Sequence, residues 1–252
     1  MGSYCPGADT HSQEQHSGRP GLTVVIPTYN ERNNLRPIVC EILELLPGTH
    51  VVVVDDGSPD GTGEVADALA IDTGAVTVLH RTNKTGIGPA YIAGFRSALA
   101  RETALVAAMD ADGSHSARDL LRMITAAESA DLVLGSRYVP GGQTYGWPLW
   151  RRLLSRSGGR YARVVLGVPV TDLTSGFKVY QREALVRLAL DQITSDGYAF
   201  QIETTWQMIK QGMNVLEVPI VFRDRIAGKS KLSRMIVIEA AVVVWRLRFR
   251  RC

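Results

Sequence analysis

Four consecutive valines, Val51 to Val54, run directly into two aspartates, Asp55 and Asp56. A strand with a branched apolar side chain at every position has no face to offer water. It belongs in the middle of a sheet covered on both sides, the situation of parallel α/β sheets. The neighbouring pattern agrees. Leu22 to Ile26 reads as a short buried strand broken by Pro27, and Leu35, Ile38, Val39, Ile42, Leu45 and Leu46 recur at helical spacing from near Asn33. The alternation continues with a helix from about Asp60 to Leu69, a strand over Val76–Leu79 and a helix from about Gly88 to Ala100. Strands over Leu105–Met109 and Leu132–Leu134 come next. This order predicts an α/β fold, a mostly parallel sheet flanked by helices. Beyond Gly135 the regularity loosens into a Gly- and Pro-rich loop from Tyr138 to Pro148 and an Arg-studded amphipathic helix to about Leu166. A loop over Thr171–Gly176, helices near Glu183–Leu190 and Ala199–Gln211, and a strand over Val215–Phe222 complete it.

In an open α/β sheet the crevice lies outside the carboxyl ends of the strands, and here those ends carry acid. The apolar run Val106-Ala107-Ala108-Met109 stops at Asp110-Ala111-Asp112-Gly113-Ser114-His115. Two carboxylates at i and i+2 can share one divalent cation, which can in turn hold a diphosphate. They can also simply cap the next helix, where Ser116-Ala117-Arg118-Asp119 resembles a capping box with Asp in the Glu/Gln place. Asp55 and Asp56 end the second strand, and Pro27-Thr28-Tyr29-Asn30-Glu31 adds an aromatic and a carboxylate after the first. Capping or turn formation explains any one of these acids; three groups at successive strand ends point to a binding crevice. Gly61-Thr62-Gly63-Glu64-Val65-Ala66 matches the dinucleotide pattern G-x-G-x-x-A, but acids intervene between strand and glycines and would repel a bare pyrophosphate. Asp55 and Asp56 are better suited to accept hydrogen bonds from a nucleobase N–H or a ribose hydroxyl.

Charge is unevenly spread behind a formal net of +3. From Leu132 to Thr171 there are six arginines, Arg137, Arg151, Arg152, Arg156, Arg160 and Arg163, and no acid. From Arg223 onward nine Lys or Arg accompany two acids, Asp224 and Glu239. Those segments carry +6 and +7, leaving −10 for the rest. The acidic part suits metal and nucleotide binding; the basic part calls for an anionic partner, unless it is only a solvated face. Nucleic acid is not expected, because aromatic interleaving and any recognised module are missing. Cys5, Cys40 and Cys252 lie far apart without a C-x-x-C, against a disulfide scaffold or zinc site and in keeping with a reducing compartment. Residues 1–20, rich in Gly, Ser, His and Gln, are expected to be a disordered leader. Residues 21–231 would form the folded domain, and 232–252 a basic amphipathic tail. Its apolar residues, among them Met235, Ile236, Val242, Val243 and Trp245, are too few to span a bilayer. They suit a helix lying on a membrane or on a membrane protein, or a last core helix with a solvated basic end.

Several of these stretches resemble a known family. Val25-Ile26-Pro27-Thr28-Tyr29-Asn30-Glu31, Val54-Asp55-Asp56-Gly57-Ser58-Pro59-Asp60-Gly61-Thr62 and Asp110-Ala111-Asp112 resemble the inverting family 2 glycosyltransferases of the GT-A fold. Gly135-Ser136-Arg137-Tyr138, Thr174-Ser175-Gly176-Phe177, Asp224-Arg225 and Gly228-Lys229-Ser230-Lys231-Leu232 extend the likeness to the polyprenol-phosphate (dolichol-phosphate) mannose synthases. The resemblance implies that Pro27, Tyr29, Glu31, Val54 and Asp56 hold the guanosine of GDP-mannose. It places Asp110, Ala111 and Asp112 at the diphosphate, with Mg2+ or Mn2+ on Asp112 and, as a weaker polar ligand, Ser114. Arg137, Arg225 and Lys231 would contact donor phosphates, while Arg137, Arg151 and Ser155 would receive the phosphate of a polyprenyl monophosphate lipid. Asp112, Asp110 and Arg137 are then the expected catalytic residues.

The implied chemistry is self-consistent. A lipid monophosphate is already ionised near neutral pH, its second pKa being about 6 by analogy with phosphoserine. It needs positioning by cations rather than a general base, so a single in-line displacement with inversion is expected. Planar, bidentate recognition of phosphate favours Arg, the type that fills the basic segment. The expected setting is peripheral, on the cytoplasmic face of a membrane, with an integral-membrane protein partner as an alternative anchor. His115 is expected as a solvated residue before a helix rather than a ligand. Asp172 is expected to orient the acceptor, to act as a base as in relatives that use hydroxyl acceptors, or to cap its loop. Trp147, Trp150 and Trp206 read as core or interface aromatics, the first two suited also to flank a lipid channel.

Overall fold

A computed structural model of the chain describes residues 21–224 and 234–249. Its elements are β1 (Leu22–Thr28), α1 (Arg32–Leu45), β2 (His50–Asp55), α2 (Thr62–Thr73), β3 (Val76–His80), α3 (Ile87–Leu99), β4 (Leu105–Ala108), α4 (Ala117–Ala126) and β5 (Leu132–Ser136). They continue with β6 (Gln143–Tyr145), α5 (Leu149–Leu166), β7 (Lys178–Gln181), α6 (Arg182–Arg187), α7 (Gly197–Lys210), β8 (Val215–Pro219), β9 (Val221–Arg223) and α8 (Arg234–Phe249). Seven strands form one sheet in the order β3-β2-β1-β4-β7-β5-β8. All pair in parallel except β7, which runs antiparallel to both β4 and β5. The expected α/β sandwich of a mostly parallel sheet between helices is therefore present.

The valine run behaves as a strand covered on both faces. Val52 and Val54 join Val25, Tyr91, Phe95 and Phe200 in the core under α3 and α7. Val51 and Val53 join Val24, Ile26, Leu35 and Leu69 in the core under α1 and α2. All four valines are fully buried. Helix α3 approaches the sheet closely because Gly94 faces it: a Cβ there would sit 2.2 Å from Val25 Cγ1 and 3.1 Å from Val54 Cγ2.

Three features depart from the expected pattern. First, β7 occupies a stretch between the loop over Thr171–Gly176 and the helix near Glu183 where no element is expected. It is four residues long and its first side chain is a lysine, a type rarely buried without partners. Lys178 is nonetheless fully buried, with Nζ donating to the Gln201 carbonyl and to Thr204 Oγ1, both at 2.8 Å. Burial pulls its pKa well below the ordinary lysine value, against the pull of Asp172. Second, the strand expected over Val215–Phe222 divides at Ile220. Its first half, β8, pairs with β5, and its second half, β9, pairs with β6, inside what reads as a loop, as a separate two-stranded sheet. Third, only half of the capping box forms. Ser116 Oγ accepts from the Arg118 N–H at 3.2 Å, while the Asp119 carboxylate accepts from the Val221 N–H at 3.1 Å and so ties β9 to α4.

Cys40, in α1, is disulfide-bonded, which corrects the expectation that the cysteines stay reduced. Residues 1–20, Arg225, Lys231 and the Gly228–Leu232 stretch lie outside the described residues. Helix α8 packs against α5 and α7, and Val243, Val244 and Leu247 enter the core while Val242, Trp245 and Phe249 are exposed. The tail thus contributes a core face as well as an apolar outer face. Among the described residues no helix is long and apolar enough to cross a membrane.

Gly94→Ala is expected to overpack the α3–β1 contact. The urea midpoint should fall by an amount equivalent to about 1–3 kcal/mol, with the slope of the transition unchanged.

Candidate active site

Parallel pairing aligns the carboxyl ends of β1, β2, β4 and β5 at one edge of the sheet. Because β7 is antiparallel, it brings the start of its strand, preceded by Thr174-Ser175-Gly176, to that same edge. A cavity of about 380 Å3 opens there. It is lined by Pro27, Tyr29, Glu31 and Asp56 at one end, Asp110, Ala111 and Asp112 in the middle, and Arg137, Trp147, Arg151 and Asp224 at the other.

Acid comes first along the chain. Asp110 Oδ1 accepts from the Tyr91 hydroxyl at 3.0 Å. Burial, reinforced by Asp110, pushes that phenol well above its ordinary pKa, so it remains a donor. The Asp110 N–H donates to His115 Nδ1 at 3.2 Å, which assigns the proton of a neutral imidazole to Nε2. His115 is not solvated as expected. Its ring stacks on Phe177 with centroids 4.5 Å apart, and burial lowers its pKa despite the nearby Asp110 and Asp112. The reason is the turn at Gly113, whose φ of 76° folds the segment back so that the Ser114 N–H reaches Asp112 Oδ1 at 3.0 Å. That leaves Ser114 Oγ buried with no hydrogen-bond partner among the described residues. A carboxylate and an orphaned hydroxyl are hard oxygen donors of the kind Mg2+ or Mn2+ takes, and they fit such an ion. Among the described residues no three His, Cys, Asp or Glu side chains cluster as a self-sufficient metal site.

At the end lined by Tyr29 and Glu31 the two adjacent aspartates separate in role. Asp55 turns inward, accepting from the Ser58 N–H at 3.1 Å, Ser58 Oγ and Thr28 Oγ1, so it builds the turn. Asp56 lines the cavity and pairs with Arg81, Nη1 to Oδ1 at 2.7 Å. Burial raises its pKa, with Arg81 pulling the other way. Val54 does not line the cavity: its side chain is core, and its carbonyl accepts from Thr28 Oγ1 at 3.4 Å.

At the basic end Arg137 and Asp172 form a buried pair. The guanidinium donates from Nε to Oδ2 at 2.8 Å and from Nη2 to Oδ1 at 2.7 Å, and the Arg137 backbone N–H also reaches Oδ2 at 3.0 Å. Burial alone would lower the Arg137 pKa, yet the Asp172 carboxylate holds it above the ordinary value. Asp172 is thus an ion-pair partner, beyond the loop-capping, acceptor-orienting or base roles expected. The N–H groups of Thr171 and Asp172 are themselves held by the Glu217 carboxylate at 2.8 and 2.9 Å. Arg151 donates to Asp224 at 3.1 Å and lies over the Trp147 ring at 4.3 Å. Ser155 is not in the cavity lining; its Oγ accepts from the Tyr138 hydroxyl at 2.7 Å.

Other lining residues were not anticipated: Lys84, Gly86 and Ile87 after β3, and Asp196, Tyr198 and Gln201 at the start of α7. Asp196 Oδ1 accepts from the Gly88 N–H at 2.7 Å, capping α3 from a distant part of the chain. The glycines at Gly86 and Gly88, ahead of Pro89, were the readable signal of a tight helix entry.

A sheet of this order with acids at its parallel strand ends is the GT-A glycosyltransferase architecture. Over residues 23–188 the chain matches the sequence profile of glycosyl transferase family 2. It is 49% identical over 232 residues to a polyprenol monophosphomannose synthase of Mycolicibacterium smegmatis, covering 90% of this chain and 87% of that one. It is 46% identical over 225 residues to an undecaprenyl-phosphate mannosyltransferase of Micrococcus luteus, covering 89% and 93%. The fold matches glucosyl-3-phosphoglycerate synthase of Mycobacterium tuberculosis, solved with Mn2+, UDP and glucosyl-3-phosphoglycerate. That match has a TM-score of 0.66 and 22% identity, covering 92% of this chain and 80% of that one. A mannosyltransferase of Pyrobaculum calidifontis, solved with GDP-Man and Mn2+, matches with a TM-score of 0.56 and 20% identity, covering 84% and 59%. The chain belongs to glycosyl transferase family 2.

Asp172→Asn removes the charge that compensates a buried guanidinium. It is expected to cost about 3–5 kcal/mol in urea unfolding, far more than an exposed pair would.

Proposed function

We propose that this enzyme transfers mannose from GDP-mannose to a polyprenyl monophosphate with inversion, releasing GDP. The observation that carries the reading is one cavity with carboxylates Asp56, Asp110 and Asp112 toward one end and the guanidiniums Arg137 and Arg151 at the other. That division suits a donor on the acidic side and an anionic acceptor on the basic side. The names of the relatives at 49% and 46% identity support polyprenyl phosphate as acceptor and mannose as the sugar transferred. The Pyrobaculum calidifontis structure with GDP-Man supports the donor.

Pro27, Tyr29, Glu31 and Asp56 take the nucleoside, and the Asp110–Asp112 turn meets the diphosphate. Val54 acts there only by shaping the strand beneath. Asp112 and Ser114 would hold Mg2+ or Mn2+, and an ion there would supply Lewis-acid stabilisation of charge on the departing diphosphate. Tyr91 and His115 fix the Asp110 segment through its carboxylate and its N–H. Arg137, held rigid by Asp172, and Arg151, held by Asp224 and stacked on Trp147, orient the acceptor phosphate for in-line attack. Ser155 supports that wall through Tyr138, and Arg225 and Lys231 are proposed to close over the donor. Because Asp172 is engaged by Arg137 and Thr174, the arrangement favours a nucleophile that arrives already ionised.

Transfer from a panel of nucleotide sugars to a short polyprenyl phosphate, with Mn2+ or Mg2+, tests this. GDP-mannose should be the productive donor, and Asp112→Ala should lower turnover on the order of 100-fold or more. UDP-glucose as the preferred donor would replace the reading with a glucosyl transfer on the same fold.

The same function requires contact with a lipid surface. Leu149, Trp150, Leu153 and Val164 on α5 and Trp245 and Phe249 on α8 are exposed, interleaved with Arg152, Arg156, Arg160, Arg163, Arg246 and Arg248. Apolar side chains among cations suit peripheral docking on an anionic membrane surface, proposed to be the cytoplasmic face. The protein is expected to float with protein-free anionic vesicles, and Trp150→Ser/Leu153→Ser to reduce the floated fraction severalfold. Recovery only with membranes that contain protein would favour an integral-membrane partner instead.

A further inference from the structure

The loop after β3 plays no part in the proposed mechanism, yet it overhangs the nucleotide end of the cavity. Its first residue is anchored: the Arg81 N–H donates to the Asp55 carbonyl at 2.8 Å, and its guanidinium pairs with Asp56 and donates to Thr85 Oγ1. Lys84 is placed differently. Its Nζ lies 3.7 Å from the centroid of the Tyr29 ring, and among the described residues it has no carboxylate partner. Lys84, Tyr29 and Asp56 all line the cavity, and Lys84 is exposed. An aromatic face, a carboxylate and an ammonium near enough to pull on that carboxylate therefore surround the space at this end.

We infer that Lys84 and Asp56 together read the base of the donor, selecting guanine: Asp56 accepts from N1–H and the 2-amino group, and Lys84 donates to O6. This inference rests on the GDP-mannose reading and names the residue that enforces it. The matching comes from the edges of the bases. Guanine presents an acceptor beside two donors, which complements an ammonium beside a carboxylate. Adenine reverses the first two groups, placing its N1 lone pair against the carboxylate and its 6-amino group against the ammonium. Uracil has a single N–H between two carbonyls and leaves one of the carboxylate's bonds unmade. Asp56 is buried, and a buried hydrogen-bonding group rejects ligands that leave it unpaired. Arg81 is a positioning residue in this scheme. It holds Asp56 from the protein side, so the carboxylate keeps its orientation while Lys84, on a flexible four-carbon stem, remains able to leave Tyr29 and meet the base.

The test uses the full chain with Mn2+ and calorimetric titration of four diphosphates: GDP, inosine diphosphate, 6-thioguanosine diphosphate and UDP. The 6-thio ligand keeps N1–H and the 2-amino group but carries a weakly accepting sulfur in place of O6. Wild type is expected to bind it about tenfold more weakly than GDP. Lys84→Met, at an exposed position, is expected to weaken GDP binding about tenfold and to abolish the difference between GDP and the O6-less ligand. Inosine diphosphate, which retains O6, should stay sensitive to Lys84→Met. If Lys84→Met weakens all four ligands in the same proportion, Lys84 contacts phosphate or supports the loop and the inference is overturned. If it leaves GDP binding unchanged, the inference also falls, while the proposed reaction stands. If wild type binds UDP as tightly as GDP, it is the GDP-mannose reading itself that fails.

Discussion

A parallel sheet sealed between two helical layers has nowhere to place polar chemistry except at the ends of its strands. That constraint organises this protein. With Val51 to Val54 committed to packing on both faces, the first positions free to carry charge are Asp55 and Asp56. The same holds where β4 gives way to Asp110 and where β1 gives way to Tyr29 and Glu31. Parallel registry then makes these separate strand ends neighbours, and the cavity is the crevice they enclose.

The antiparallel strand β7 is the one inversion in the sheet, and much of the basic wall depends on it. By entering the sheet at the carboxyl edge, it carries Thr174, Ser175 and Gly176 into the cavity. Asp172, just upstream, meets Arg137 at the end of β5. The pair is buried at the cavity wall, and a guanidinium in that setting is tolerable because Asp172 and Thr174 accept from its Nε and Nη2. The arginine proposed to orient the acceptor phosphate is therefore part of the fold's own electrostatics. A lysine would lack the planar fork that makes the two parallel bonds.

Legibility varied with how local the signal was. Strands with continuous apolar character, and helices with clean 3.6-residue spacing, were readable because burial on both faces or one face is written into neighbouring residues. Strand β7 was not, since Lys178 disguises a buried strand and its satisfaction by Gln201 and Thr204 lies more than twenty residues away. Strand β9 was concealed because the apolar run continues through Val221 and Phe222, although Pro219 just before Ile220 marks where the chain changes sheets. Among site residues, the strand-end acids were legible. His115 was misjudged because its burial depends on Phe177 and Phe222, which arrive from elsewhere. Lys84 and Asp196 carried no strand-end pattern at all, and only the loops' meeting places them in the cavity.

The amino-acid order by itself determined the fold class, the acid at three strand ends, the basic segment and the family resemblance. These rest on periodicity, on residue chemistry and on short motifs, all of which are local. Tertiary structure decided which acids face the cavity and which build turns, separating Asp56 from Asp55. It also decided that Arg137 is paired, that Val54 and Ser155 stand behind the wall, and that α8 contributes to the core. The reason is physical: a side chain's partner, burial and charge state are set by groups distant in sequence, and those distances close only when the sheet forms.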